Sequence, residues 1–283
     1  MANERGAGDA GRADARRAGA GDPGDAGRTG AGRTDAGRAG ADVAARRRTA
    51  VVAGHERDET AARRLLGDED PSVRAAALGA LVLAEAVRAA DLAGGLADPV
   101  PSVRRRTLEL VAALSADPVG GDPPDEAPAA RLARPGREAP GSRQEREAPD
   151  SGQAREARPG REAALASSVL PLLDDADPSV VEVAAWACGE RVPPEAGAVA
   201  RLATLATGHD DALVREAAVA ALGAIGDPAG LPAVLAACRD KATVRRRAVL
   251  ALAPFDGPEV DAALRAALED RDWQVRQAAE DLT

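Results

Sequence analysis

Along residues 213–249 the apolar positions repeat with the rhythm of a helix rather than a strand. LVREAAVAALGAIGDPAGLPAVLAACRDKATVRRRAV places Val214, Ala218 and Leu222 four residues apart, on one helix face. A Gly-Asp-Pro turn follows, then a shorter apolar helix, then the first pattern again. Val214-Arg215 returns as Val244-Arg245 after thirty residues and as Val275-Arg276 after thirty-one. Taken as a ruler, the same valine stands at Val73, Val103 and Val180. Four residues on stand Ala77, Thr107, Ala184, Ala218, Ala248 and Ala279, small side chains that predict close approach of a neighbouring helix. Eight residues on come Leu81, Val111, Cys188, Leu222 and Leu252. The partner helices carry Leu92/Leu96, Val169/Leu173, Val234/Cys238 and Leu264/Leu268. A fixed period filled by two helices predicts an all-α fold, an α-solenoid of about six helix pairs.

Two stretches break the pattern. Residues 1–43 mix Gly, Ala, Arg and Asp, with seven basic and seven acidic residues and almost no large apolar side chain. Such a segment cannot offset an ordering entropy of roughly 1–2 kcal/mol per residue, which predicts a disordered tail. The step from Val103 to Val180 spans 77 residues instead of thirty, because residues 117–161 form a Pro/Gly/Arg/Glu-rich run with ARPGREA at 133–139 and again at 157–163. This duplicated segment is predicted to be a disordered linker between repeats 44–116 and 162–283. Loop-closure entropy grows only logarithmically, so a solenoid tolerates it at one junction. Whether the two blocks stack continuously is open at this level.

Composition adds three constraints. Ala dominates the apolar residues, Tyr is absent and Phe255, Trp186 and Trp273 are the only aromatics, which favours helices over strands. Net charge is -9, and residues 162–283 hold 11 basic against 20 acidic residues, while 44–115 are near neutral. That half favours cationic partners and disfavours nucleic acid or an anionic membrane. Cys188 and Cys238 make no disulfide framework, and no apolar run is long enough for a signal sequence or a span, so a cytoplasmic location is expected.

Helix starts are marked too. Asp70-Pro71 and Asp177-Pro178 place a capping carboxylate before a first-turn proline, and Asp211 and Asp272 hold the same position without it. With DPSVRAAALGAL, VREAAVAALGAIGDPAGLPAVLAACRD and VRRRAVLALA, the chain resembles HEAT repeats, specifically the short PBS-lyase-type HEAT-like repeats of bacterial HEAT repeat proteins. The resemblance covers roughly 44–115 and 162–283. It implies that the Val-Arg helix lines a concave face, and that an Asp and an Arg near its start form a polar ladder between repeats. The matching residues are Asp70/Arg74, Asp211/Arg215 and Asp272/Arg276, with Arg104 and Arg245 at the same arginine position. Val181 replaces that arginine in one unit, which predicts a ladder break where flexing is easiest.

The chemistry-bearing residues are few. His55-Glu56 and His209-Asp210 fall at helix ends, where a His suits the dipole, and supply too few ligands for the di-iron site of HEAT-like hydroxylases. No metal or cofactor is expected. The two cysteines replace Leu-type core positions, and a tetrapyrrole pocket would want aromatic walls that Ala-rich faces lack. Arginine triplets open three helices: Arg46–Arg48, Arg104–Arg106 and Arg245–Arg247. One member of each serves the ladder, leaving Arg47, Arg48, Arg105, Arg106, Arg246 and Arg247 for a partner. Stacked in register they could form a stripe for phosphates, though aromatic stacking platforms are missing. The favoured reading is a non-catalytic scaffold gripping a protein. Nucleic-acid binding through the N-terminal repeats is the first alternative. A HEAT-like enzyme or enzyme accessory, phycobilin-lyase-like or metal-dependent, is the second.

Overall fold

The computed structural model describes residues 28–116 and 159–283. Contacts divide the chain into Met1–Asp42 and Val43–Thr283; the account below concerns the second unit. All regular structure among the described residues is helical. In chain order come α1 (Arg28–His55), α2 (Glu59–Leu65), α3 (Pro71–Leu83), α4 (Ala89–Leu96), α5 (Pro101–Ser115), α6 (Pro159–Ala166) and α7 (Pro178–Glu190). The remainder are α8 (Ala198–Gly208), α9 (Ala212–Ile225), α10 (Leu231–Ala237), α11 (Ala242–Ala251), α12 (Pro258–Leu268) and α13 (Trp273–Glu280). No helix among the described residues is long and apolar enough to cross a membrane.

The odd-numbered helices from α3 to α13 pack one on the next, and each even-numbered helix lies against them. The result is a two-layered solenoid of repeated helix pairs, as the thirty-residue period predicts. The ruler valines Val73, Val103, Val180, Val214, Val244 and Val275 are all buried, and so are the small residues four positions on. One apolar cluster runs from Ala53 to Val260 without interruption at the insertion. α5 packs on both α6 and α7, so repeats on either side of residues 117–158 stack as a continuous array. That settles the question the sequence left open. The expected disorder of residues 1–27 and 117–158 lies outside the described residues.

Three expectations change. The tail predicted to lack structure through residue 43 is helical from Arg28. Its exposed residues 39–42 gain no burial; propagation from a packed helix adds a hydrogen bond per residue and avoids a new nucleus. The linker ends at Pro159 rather than 161, because Gly160 seats α6 on α5: a Cβ there would stand 3.1 Å from Leu114 Cδ2. The partner helix expected at Val169/Leu173 is instead α6 followed by one 3-10 turn, Leu170–Asp174, where Pro171 supplies no helical N–H.

Close approach is also placed differently. Backbones of successive odd-numbered helices approach closely at glycines, of which Gly189 and Gly223 stand nine residues past the ruler valine. A Cβ on Gly54, Gly189 or Gly223 would stand 2.9, 2.9 and 2.7 Å from the Cα of Ala80, Ala221 and Ala251. Of the small residues four past the ruler, Thr107 meets α4, where Gly95 leaves it room.

Candidate functional site

The caps behave as the sequence predicts. Asp70, Asp177, Asp211 and Asp272 accept from the backbone N–H two residues on, at 2.8–2.9 Å. The ladder does not use them. Arg74 donates through Nε and Nη2 to Asp98, at 2.7 Å each, while its Nη1 reaches Asp68 O at 2.9 Å. Arg104 does the same to Asp175 at 2.7 and 2.8 Å, Arg215 to Asp240 at 2.6 and 2.9 Å, and Arg245 to Asp270 at 2.8 and 2.7 Å. Arg46 opens the series on Asp68 at 2.8 and 3.1 Å. The guanidinium groups of Arg74, Arg104, Arg215 and Arg245 thus each span from the turn of their own repeat to a carboxylate of the next.

The pairings Asp70/Arg74, Asp211/Arg215 and Asp272/Arg276 are therefore corrected. A capping oxygen already engaged by the helix's first amides faces its own helix. The acceptors stand just before the caps, and Asp68, Asp98, Asp175 and Asp270 also accept from the cap residue's own N–H at 2.8–2.9 Å. The arginine hydrogen bonds hold Asp68, Asp240 and Asp270 below the usual carboxylate range. At Asp98 and Asp175 burial pushes upward, but the arginine and the backbone N–H win, and these carboxyls are lowered too.

One rung is missing. Val181 is buried in place of the arginine, and His209 occupies the place of the aspartate, its Nδ1 accepting from Asp211 N at 3.1 Å. Both halves of the rung are replaced together. At the last repeat Arg276 reaches only the carbonyl of Asp270, at 2.7 Å, and has no carboxylate partner among the described residues.

The remaining arginines separate into two groups. Arg47 of α1 and Arg106 of α5 line one groove of about 480 Å³ whose floor is formed by the half-buried Ala75, Ala76 and Gly79 of α3. Val51 and Leu83 stand in it about half exposed, at 51% and 49%. Arg47, Arg48 and Arg105 are exposed and make no ion pair among the described residues. Arg106 donates to exposed Glu109 at 2.9 Å. The second group is on α11: Arg246 is half-buried, and Arg247 donates to Glu216 of α9 at 3.3 and 3.4 Å. The triplets do not form a single stripe, because α7 and α9, bearing Glu182 and Glu216, stack between α5 and α11.

Other chemical groups lie apart. His55 ends α1 and His209 follows α8. No cluster of three or more His, Cys, Asp or Glu able to hold a metal occurs among the described residues. Burial pushes the thiols of Cys188 and Cys238 up to about 12 and about 11, so neither is a thiolate at neutral pH. Trp186 packs on the core and donates to Glu190 at 3.0 Å. Trp273 is the first residue of α13, not part of the turn before it, and is 65% exposed.

The family model "HEAT repeats" matches residues 166–253, and "PBS lyase HEAT-like repeat" matches residues 244–270. Among solved structures, a designed armadillo repeat protein in complex with the peptide (KR)4 is 17% identical over 78% of this chain and 95% of its own, with a TM-score of 0.51. An engineered protein matches at 18% identity over 80% of this chain and 94% of its own, TM-score 0.49. A chain from the Kap95p–RanGDP complex matches at 15% identity over 78% of this chain and 35% of its own, TM-score 0.39. The first of these shares the fold. No curated protein matches the chain.

Proposed function

The chain belongs to the HEAT-repeat family, and we propose on that premise that it is a non-catalytic scaffold of the cytoplasm. It holds a protein partner on the face carried by the odd-numbered helices. The observation that carries this reading is the frame itself. Bidentate Arg–Asp rungs tie successive repeats, and the positions just past the rungs hold the exposed Arg47 and Arg105 and the half-buried Glu182, Glu216 and Arg246. Stacked repeats of this kind present an extended, pre-organised surface, which lowers the ordering cost of binding. Alternating patches of both signs suit a protein with complementary charges better than a polyanion.

The test is capture of a defined partner by the full chain and by Arg105→Glu/Arg246→Glu. Loss of that partner with unchanged helicity supports the reading. Equal capture by both forms removes these arginines from the binding face.

A further inference from the structure

We infer that the groove across α1, α3 and α5 docks a short acidic protein segment with apolar residues between its carboxylates; the inference rests on the scaffold reading and names its partner chemistry. Two guanidinium groups, Arg47 and Arg106, line the groove together from two different helices. Arg47 has no ion pair among the described residues, and Arg106 meets only the exposed Glu109, a contact water and a ligand can both replace. An arginine fork takes a carboxylate through two parallel N–H donors.

Shape adds the second requirement. The floor is Ala75, Ala76 and Gly79, and a Cβ built on Gly79 meets nothing closer than Arg106 Nη2 at 3.7 Å. A ligand backbone can therefore approach α3 closely. Val51 and Leu83 leave about half their surface to solvent in the same groove, and aliphatic side chains of a ligand would cover them. Packed helices lie roughly 8–10 Å apart, so α1 and α5 are separated by about 20 Å. An extended segment of about six residues, at ~3.3 Å each, spans that distance.

Nucleic acid fits this site less well. The cationic surface stops at α7, where Glu182 takes the position that Arg105 holds on α5, and Glu216 follows on α9. No aromatic ring lines the groove on which a base could stack.

The experiment follows fluorescence anisotropy of a labelled, alternating Asp-Leu octapeptide titrated with the full-length protein. An alternating Lys-Leu octapeptide and short single- and double-stranded DNA serve as rival probes. The expected result is saturable binding of the Asp-Leu peptide alone, weakened about tenfold or more by Arg47→Glu/Arg106→Glu. Gly79→Leu, which fills the floor beside Arg106 while both charges stay, should weaken it as much, while Arg265→Glu on the exposed side of α12 should leave it unchanged. Circular dichroism checks that each variant keeps its helicity.

Binding lost on charge reversal but kept in Gly79→Leu overturns the groove and leaves plain charge attraction. DNA binding with the same arginine dependence, in place of peptide binding, overturns the protein segment. Absence of peptide binding, beside a captured partner that depends on Arg105 and Arg246, overturns this site and leaves the scaffold reading standing. Peptide binding intact beside a partner indifferent to those arginines supports the groove and removes Arg105 and Arg246 from the binding face.

Discussion

At the scale of single residues, the structure turns on where a side chain's last polar atom is committed. Asp98 carries both a cap-side N–H and the fork of Arg74, so Asp98→Ala strips two partners at once. Hydrogen bonds to charged groups contribute about 1.5–3 kcal/mol, and a loss in that range is expected in urea unfolding. The pH dependence follows from the same pairs. Ladder aspartates have folded-state pKa values below the unfolded value of about 3.9. Their contribution is fully present above that value and is lost as pH falls through the lowered folded values. Stability measured between pH 5 and pH 2 should therefore fall less steeply in Asp98→Asn than in the parent chain. At Gly223 the effect is steric: a Cβ would lie 2.7 Å from both Cα and Cβ of Ala251. Gly223→Ala should destabilise by about 1–3 kcal/mol despite alanine's better helix propensity, which thermal unfolding would reveal.

At the scale of elements, the informative places are the junctions. Arg191 is buried and donates to the carbonyls of Ala164, Leu165 and Ser167 at 2.8–3.0 Å, so it caps the C-terminus of α6 from the far end of α7. Arg191→Met should leave those carbonyls unpartnered and speed hydrogen exchange across residues 160–167 more than elsewhere. The α7–α9 junction lacks its rung, with Val181 and His209 in the two positions. Val181→Arg alone buries an unpaired charge, whereas Val181→Arg with His209→Asp rebuilds the pair. A double-mutant cycle should return a favourable coupling of about 1–3 kcal/mol; additivity would show that the two positions do not face each other.

At the scale of the whole molecule, the array is continuous across the insertion, since α5 packs on α7 and Arg104 pairs with Asp175 seventy-one residues away. Replacing residues 117–158 by a Gly/Ser segment of roughly twelve residues should then raise stability by about 1 kcal/mol, the logarithmic saving in loop closure. A large loss of cooperativity in denaturant unfolding would count against continuous stacking.

The sequence by itself determined the repeat, its period, the buried faces and the helix starts, because all of these depend on spacings within about ten residues. Val73, Ala77 and Leu81 must share a face wherever the helix goes, and Asp70 before Pro71 can only cap. It also isolated the arginines left over from the ladder. What only the tertiary structure decided are relations between repeats. An aspartate two residues before a cap looks like any turn residue until the preceding helix is laid beside it, which is why Asp68, Asp98, Asp175, Asp240 and Asp270 were not legible as rungs. The second ARPGREA runs into a helix because Gly160, Ala163 and Ala164 find a surface to bury against, and no local pattern encodes that surface. The groove between Arg47 and Arg106 is of the same kind. Its walls are about sixty residues apart in sequence, and helix packing alone brings them to one cavity.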